Sequence, residues 1–366
     1  MSSGLAYITR KYPPSIGGMQ CFNEKLVAHL KQLGDFHLLS WGRSQALMPL
    51  FLVYVFFKVV WLKLTGRVQT IYLSDALMSP LGLIFKKLFS MRVLVTAHGR
   101  DATFTFPGYR WAVGRSLRQL DGVICVSRHT KDYCLRMGVD EKILSVIPNG
   151  VSVEDFAWKE DTHPDRCLGL NLAGKTVLLS VGRLVPRKGM DRFVSELLPE
   201  IVRRHPQTFC LIVGDGPLRK KIQSLVAERG LEDHVRLLVD IPWNDPRLTA
   251  AYNCARIFVM PNVPVKGDVE GFGIVVLEAA AAGCVVVASR LEGIEEAIED
   301  GANGILVRWD DNAAFLNELL RLAEDPEMAG ELGRKARRFV EDKYDWKKIA
   351  RLYHQVFNQS SAALQA

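Results

Sequence analysis

The chain lacks cysteines at metal-ligand spacing, a charged leader followed by an apolar run, and any dinucleotide fingerprint after its first strand. Its seven cysteines (Cys21, Cys125, Cys134, Cys167, Cys210, Cys254 and Cys284) are odd in number, scattered and nowhere spaced Cys-x-x-Cys. That argues against a cysteine zinc site and for a reducing compartment. With no secretory pattern at Met1 to Leu5, a cytoplasmic location is expected. No Gly-x-Gly-x-x-Gly follows the first strand, and Gly214-x-Gly216 lacks the third glycine, which removes the main signal of a nicotinamide dehydrogenase. No Asp-x-Asp lies at a strand end and no histidines cluster at ligand spacing, so no metal or other cofactor is expected. Acid is scarce at the front. Residues 1–140 hold 18 Lys plus Arg against 7 Asp plus Glu, a net of +11, whereas the remainder is net −4. Such asymmetry suits an anionic partner, whether lipid headgroup, nucleotide phosphate or nucleic acid. The basic residues are not interleaved with an RNA-binding motif, so a nonenzymatic anion- or nucleic-acid-binding protein ranks last, and no nucleic-acid partner is expected.

What is present is enough for two cores: 366 residues, 48% apolar. Short β-branched runs alternate with helix-like stretches throughout, the pattern of parallel sheets with helical crossovers. Strands are expected at residues 5–8, 68–73, 92–97, 122–126 and 144–147. After an irregular, polar stretch, 154–174, the pattern resumes at 176–181, 208–213, 235–239, 257–260, 285–288 and 304–307. The fold class is therefore α/β, with a first domain over 1–160, a second over 161–345, and a terminal helical segment, 346–366, able to cross back to the first. Doubly wound units bind ligands at the carboxyl ends of their strands, which makes the cleft between the domains the default site.

The most informative stretch is Glu270-Gly271-Phe272-Gly273-Ile274, followed by Glu278. A helix beginning near Gly273 leaves Glu270 in the preceding loop and Glu278 two turns in. The glycines let the backbone approach a ligand, and the helix N-terminus favours phosphate. The two acids would then grip one ligand at different places, Glu270 at a sugar and Glu278 at a ribose. Arg183 and Lys188 lie five apart across a loop after a strand end and can converge on one anion, with Arg187 expected to point elsewhere. Gly17-Gly18 opens a helix after the first strand, a phosphate-facing loop or simply a turn. His98 and Asp101 follow another strand end. Gly214 and Gly216 form a tight turn after a strand, with a donor-binding or a purely conformational role, and Asn149 closes the first domain.

In order along the chain, these segments resemble the motifs of the family-4 retaining glycosyltransferases. The likeness runs through Gly17-Gly18, Val181-Gly182-Arg183 to Lys188-Gly189, Val213-Gly214-Asp215-Gly216-Pro217 and the two glutamates Glu270 and Glu278. It implies the GT-B fold, two facing Rossmann-like domains with parallel sheets and an interdomain cleft. It implies a metal-independent hexosyltransferase using a nucleotide-sugar donor, with UDP-sugars favoured over GDP-mannose, that keeps the anomeric configuration by front-face attack. His98, Arg183, Lys188 and Glu270 become the catalytic set. Gly17, Gly18, Gly214, Gly216, Gly271, Phe272, Gly273, Ile274 and Glu278 become the donor-binding set, with Asp101 and Asn149 toward the acceptor. A nucleotide-sugar epimerase or a phosphorylase on the same scaffold is the alternative. One departure stands out: where many relatives carry Gly-Gly-x-Pro-Glu, this chain reads Leu291-Glu292-Gly293-Ile294-Glu295.

The uncharged run from Ser44 to Phe57 is 14 residues, short of the ~20 that span a bilayer. It is either buried in the first domain or lies at a membrane interface with Lys58 and Lys63 toward headgroups. The second reading, strengthened by Lys86, Lys87 and Arg92 in the next apolar segment, makes an anionic membrane surface the partner and a lipid-linked molecule the acceptor, in cell-surface polysaccharide or glycolipid synthesis.

Overall fold

The computed structural model describes residues 4–15, 17–98, 107–157 and 163–358. The chain forms two compact units, Met1–Gly150 with Trp346–Ala366, and Val151–Asp345. Each is built on a parallel sheet of six strands. In the first unit these are β1 (Leu5–Thr9), β2 (His37–Ser40), β3 (Thr70–Leu73), β4 (Arg92–Ala97), β5 (Gly122–Cys125) and β6 (Leu144–Val146), in the order β2-β1-β3-β4-β5-β6. In the second they are β7 (Thr176–Val181), β8 (Thr208–Val213), β9 (Val235–Leu238), β10 (Ile257–Met260), β11 (Val285–Ser289) and β12 (Ile305–Val307), in the order β12-β11-β10-β7-β8-β9.

Strands covered by helices on both faces read as unbroken apolar runs. Val285-Val286-Val287-Ala288 in β11 and Ile257 to Met260 in β10 are buried at every position. The strand that the sequence pattern misses is β2, an edge strand of four residues in which Leu39 alone is buried. The strand order reverses beside β1 in the first unit and beside β7 in the second. The crevices at the carboxyl ends of β1/β3 and β7/β10 are therefore where such sheets hold ligands.

One expectation needs correction. The stretch read as linker begins inside the second unit, where the ring of Phe156 meets Tyr252 edge-on at 5.3 Å. Its polar residues hid this apolar anchor. The helix Met48–Leu64 is neither wholly buried nor free. Phe51, Val55, Val59 and Leu62 enter the core, while Leu50, Val53, Tyr54, Phe57, Trp61 and Leu64 are exposed. The helix Trp346–Asn358 packs in the first unit, where Trp346, Ile349 and Tyr353 join Phe22, Leu26 and Tyr72 in one cluster. Arg92 secures its end by donating to the carbonyls of Val356 and Phe357 at 2.9 and 2.7 Å. Among the described residues no helix is long and apolar enough to cross a membrane.

Candidate active site

At the β7/β10 crevice the chain leaves β7 through Gly182 and Arg183 and tightens into a short 3-10 turn, Pro186–Lys188. Gly189 ends the turn at φ +64°, and a Cβ there would stand 2.0 Å from the Pro261 carbonyl oxygen. Only glycine lets the turn dock on the segment after β10. Val263 N–H then donates to the Arg187 carbonyl at 2.9 Å. This docking aims two cations at the loop that carries Glu270. Lys188 Nζ donates to Glu270 Oε2 at 2.6 Å, and Arg187 Nη1 bonds the same oxygen. Arg187 Nε also reaches Asp268 Oδ1 at 3.1 Å, and Asn262 Nδ2 approaches Glu270 Oε2 at 3.4 Å. The expectation that Arg187 points away is thus corrected: its side chain is 15% exposed and braces two acids of the loop.

Burial pushes the Glu270 carboxyl up, but the charges and hydrogen bonds of Lys188 and Arg187 outweigh it and hold the group at about 2. Glu270 is ionised. Its own N–H donates to Glu292 Oε2 at 2.5 Å, and the Gly293 N–H donates to the Glu270 carbonyl at 3.2 Å. Glu292 sits at φ +49°, an uncommon conformation for a residue with a side chain. Glu292, where the sequence departs from the family pattern it resembles, is therefore a brace for the Glu270 loop. Asn262 is buried, and among the described residues its Oδ1 has no hydrogen-bond partner.

Arg183 is exposed, and among the described residues it makes no ion pair; it lines one small pocket with Gly182 and Lys188. Gly273 takes φ +76° as the cap of the helix Ile274–Ala281, whose first turn carries neither an acid nor a side-chain cap, leaving N–H groups open toward the loop. Phe272 is a core residue, 3% exposed, with its ring edge-on to Tyr344, so its side chain is not available to a donor. Gly214 and Gly216 are required by backbone packing: a Cβ would stand 2.0 Å from the Gly182 carbonyl oxygen at the first and 2.5 Å from that of Leu184 at the second. They let the turn after β8 lie flush against the Arg183 loop. Glu278 is half-buried and accepts from the Tyr252 hydroxyl at 2.7 Å. Burial raises its pKa, with the Tyr252 bond opposing.

In the first unit, Gly17 precedes the helix Gly18–Leu30, whose first turn again has no acid and no side-chain cap. His98 follows β4; its Nε2 lies 2.9 Å from the Ser74 carbonyl, which can only accept, so Nε2 carries the proton. Phe22 meets the His98 ring edge-on at 4.7 Å. Sequence reasoning missed the pair beside it: Arg10 Nε lies 3.0 Å from both oxygens of the fully buried Asp75. Asn149 is buried, with its Oδ1 unpartnered among the described residues, next to Gly150, which lies against the Trp346 indole. Asp101 lies outside the described residues. Asn262, Asp268 and Tyr252 were also missed. Asn262 alone carried a signal, as the second residue past a strand end.

Among the described residues no group of three His, Cys, Asp or Glu could hold a metal ion. The chain matches the family model for glycosyl transferases group 1 over residues 170–339 and that for glycosyltransferase family 4 over residues 17–155. It is 32% identical over 285 residues to a GDP-mannose-dependent alpha-(1-6)-phosphatidylinositol monomannoside mannosyltransferase of Mycolicibacterium smegmatis, covering 76% of this chain and 74% of that protein. It is 26% identical over 369 residues to a GDP-mannose-dependent monoacylated alpha-(1-6)-phosphatidylinositol monomannoside mannosyltransferase of Corynebacterium glutamicum, covering 93% of each. Among solved structures, sucrose-phosphate synthase from Thermosynechococcus elongatus superposes with a TM-score of 0.78 at 23% identity, covering 99% of this chain and 100% of that one. Anabaena HepE, in complex with UDP and glucose, superposes with a TM-score of 0.77 at 20% identity, covering 98% and 100%. These two likenesses speak to the fold.

Proposed function

The chain belongs to family 4 of the glycosyltransferases, with the two-domain GT-B fold, and on that premise we propose that it transfers mannose from GDP-mannose to a phosphoinositide-type glycolipid with retention of configuration. The observation that carries the reading is the convergence of Lys188, the Arg183 loop and the Glu270-to-Ile274 loop at the carboxyl ends of β7 and β10. Arg183, Lys188 and the open N–H groups of the helix Ile274–Ala281 receive the donor diphosphate, and their fixed charge stabilises it most as the glycosidic bond breaks. Glu270 orients the sugar and Glu278 the ribose. The departing phosphate takes the acceptor proton. His98, Gly17 and Gly18 act from the first unit on sugar and phosphate, and Asp101 and Asn149 stand toward the acceptor.

The donor departs from the UDP-sugar expected of the sequence. The two mannosyltransferases that align over 76% and 93% of this chain, at 32% and 26% identity, are named GDP-mannose-dependent, whereas UDP accompanies structures at 20% identity or less. Such distant likeness carries no base preference. The acceptor reading is supported by the first unit's surface. Between Asp35 and Asp75 there is no acidic residue, and the exposed stripe of Met48–Leu64 is flanked by Lys58, 4.2 Å above the Trp61 ring, and by Arg67, 5.0 Å from it. An aromatic between cations suits the headgroup layer of an anionic leaflet. The test is nucleotide release from GDP-mannose, UDP-glucose and UDP-N-acetylglucosamine, each with phosphatidylinositol vesicles carrying mannosylated lipid. Mannose appearing in the lipid from GDP-mannose alone is expected. Turnover with a UDP-sugar alone would overturn the donor, and release indifferent to lipid would overturn the acceptor.

A further inference from the structure

The turn that supplies Lys188 to the site supplies a second cation beside it, and one carboxylate oxygen holds both. That is an unusual resting state for a cation expected to meet a diphosphate, because its charge is already satisfied. We propose that Lys188 exchanges Glu270 for the donor diphosphate and that Arg187 is the positioning residue that makes the exchange possible, keeping Glu270 ionised and in place once Lys188 has left; this rests on the donor-site reading above.

The geometry argues for an exchange rather than a permanent bridge. Lys188 is a flexible stem, and its Cε and Nζ lie 3.4 and 3.7 Å from where a Gly182 Cβ would stand, so its head straddles the end of β7 and the Glu270 loop. A small swing serves either partner. Arg187 is not mobile in this sense: its guanidinium is shared between Asp268 and Glu270, and its carbonyl is tied to the Val263 N–H at 2.9 Å. When a diphosphate with two or more charges draws Lys188 away, Glu270 retains Arg187 and the Asn262 amide. Its second oxygen, Oε1, accepts from no described group, so it is available to sugar hydroxyls. Bare nucleotide must therefore work against the Lys188–Glu270 pair, while a nucleotide sugar recovers that cost at Glu270. The pair makes the site prefer the intact donor to its product, and linkage requires the preference to be reciprocal.

Calorimetric titration of the full chain with GDP, UDP and GDP-mannose tests this on wild type, Glu270→Gln, Arg187→Met, Arg187→Lys and the Glu270→Gln/Arg187→Met double variant. Glu270→Gln removes the competitor and is expected to bind GDP at least about fivefold tighter than wild type, the lower end of measured coupling between sites, while losing its preference for GDP-mannose. Arg187→Met leaves the whole charge of Glu270 on Lys188 and is expected to bind GDP about fivefold more weakly, an effect that shrinks below about twofold in the Glu270→Gln background because the two groups act as one unit. Arg187→Lys, which keeps the cation, recovers most of the loss. GDP affinity unchanged or weakened in Glu270→Gln overturns the exchange, and an equal loss from Arg187→Met in both backgrounds reduces Arg187 to a loop support. Wild type that ignores GDP and UDP alike overturns the donor-site reading instead, and is recognised by its occurring before any substitution.

Discussion

Glu270 carries a negative charge into a setting that burial alone would keep neutral, and two cations decide the outcome. A carboxyl held at about 2 when folded and near its usual 4.5 when unfolded adds stability that is complete above the unfolded value and is lost as pH falls through the folded one. Glu270→Gln is thus expected to melt lower than wild type at pH 7, by about 2 kcal/mol of unfolding free energy for a pair that is mostly buried, and the gap should close between pH 4.5 and 2 in scanning calorimetry. A gap independent of pH would mean that the ion pair adds nothing. Glu278 runs the opposite way. Burial raises its folded pKa, so the ionised form costs stability as pH rises through that value. Glu278→Gln, in which the amide oxygen still accepts from Tyr252, should melt no lower than wild type at pH 7 to 8, yet lose about tenfold in donor affinity, the equivalent of one hydrogen bond to a charged group. A lower melting point with intact affinity would make Glu278 a structural acid. Lys188→Ala removes a transition-state cation, and a fall of at least about 100-fold in turnover is expected in a nucleotide-release assay.

The elements that aim these residues are turns rather than helices, and their geometry rests on glycine. Gly189 and Gly230 have nearly the same φ, +64° and +63°, but a Cβ at Gly189 would collide with the Pro261 carbonyl at 2.0 Å and one at Gly230 would meet open space. Gly230→Ala should cost about 1 kcal/mol, the backbone term alone, whereas Gly189→Ala should cost more than about 2 kcal/mol and displace Lys188, read by urea unfolding and by GDP titration side by side. Equal costs would show that the turn does not need its docking. Much of this scale was legible in the sequence. Eleven of the twelve strands announce themselves because two-sided burial demands continuous runs such as Val285 to Ala288. The place of the Arg183-to-Lys188 loop at the crevice was legible because a strand end followed by Gly182 marks it, and that of the Glu270 loop because Gly271 and Gly273 open the next helix. Arg187 was not: adjacent residues in an extended loop point to opposite sides, and the 3-10 turn that brings it round beside Lys188 is made by tertiary docking of Gly189 on Pro261. The packing role of Gly214 and Gly216 could not be told from a donor-binding one for a related reason, since a glycine that admits a ligand and one that admits a neighbouring backbone read alike. Asp75 and Arg10 escaped because 65 residues separate them and only the β1/β3 pairing makes them neighbours.

At the scale of the molecule, charge and exposed apolar surface coincide in one unit, and neither alone would say as much. Residues 1–140 carry a net +11. The exposed Leu50, Val53, Tyr54, Phe57, Trp61 and Leu64 follow helical spacing on one outward face, and Ile84 and Leu88 add to it from the helix Ser79–Phe89, which Phe56 joins by stacking on Phe85 at 5.6 Å. A stripe this apolar left in water invites self-association, whereas laid in a leaflet it buries leucine and phenylalanine among acyl chains while Lys58, Lys63 and Arg67 stay among phosphates. The two contributions separate by experiment. Flotation with vesicles containing phosphatidylinositol should recover the wild-type chain in low salt and progressively less as salt rises, since each basic residue near an anionic surface contributes about 1 kcal/mol. Lys58→Glu/Lys63→Glu should lose this salt-sensitive part, and Leu50→Ser/Phe57→Ser the salt-resistant part, each without altering GDP affinity, because all four residues belong to the first unit and the Lys188–Glu270 pair to the second. On lipid acceptor in vesicles both variants should show a raised KM at nearly unchanged kcat, the signature of a weakened approach to the substrate rather than damaged chemistry. If the double serine variant floats as well as wild type, the stripe faces something other than lipid, and the acceptor must reach the first unit by another route.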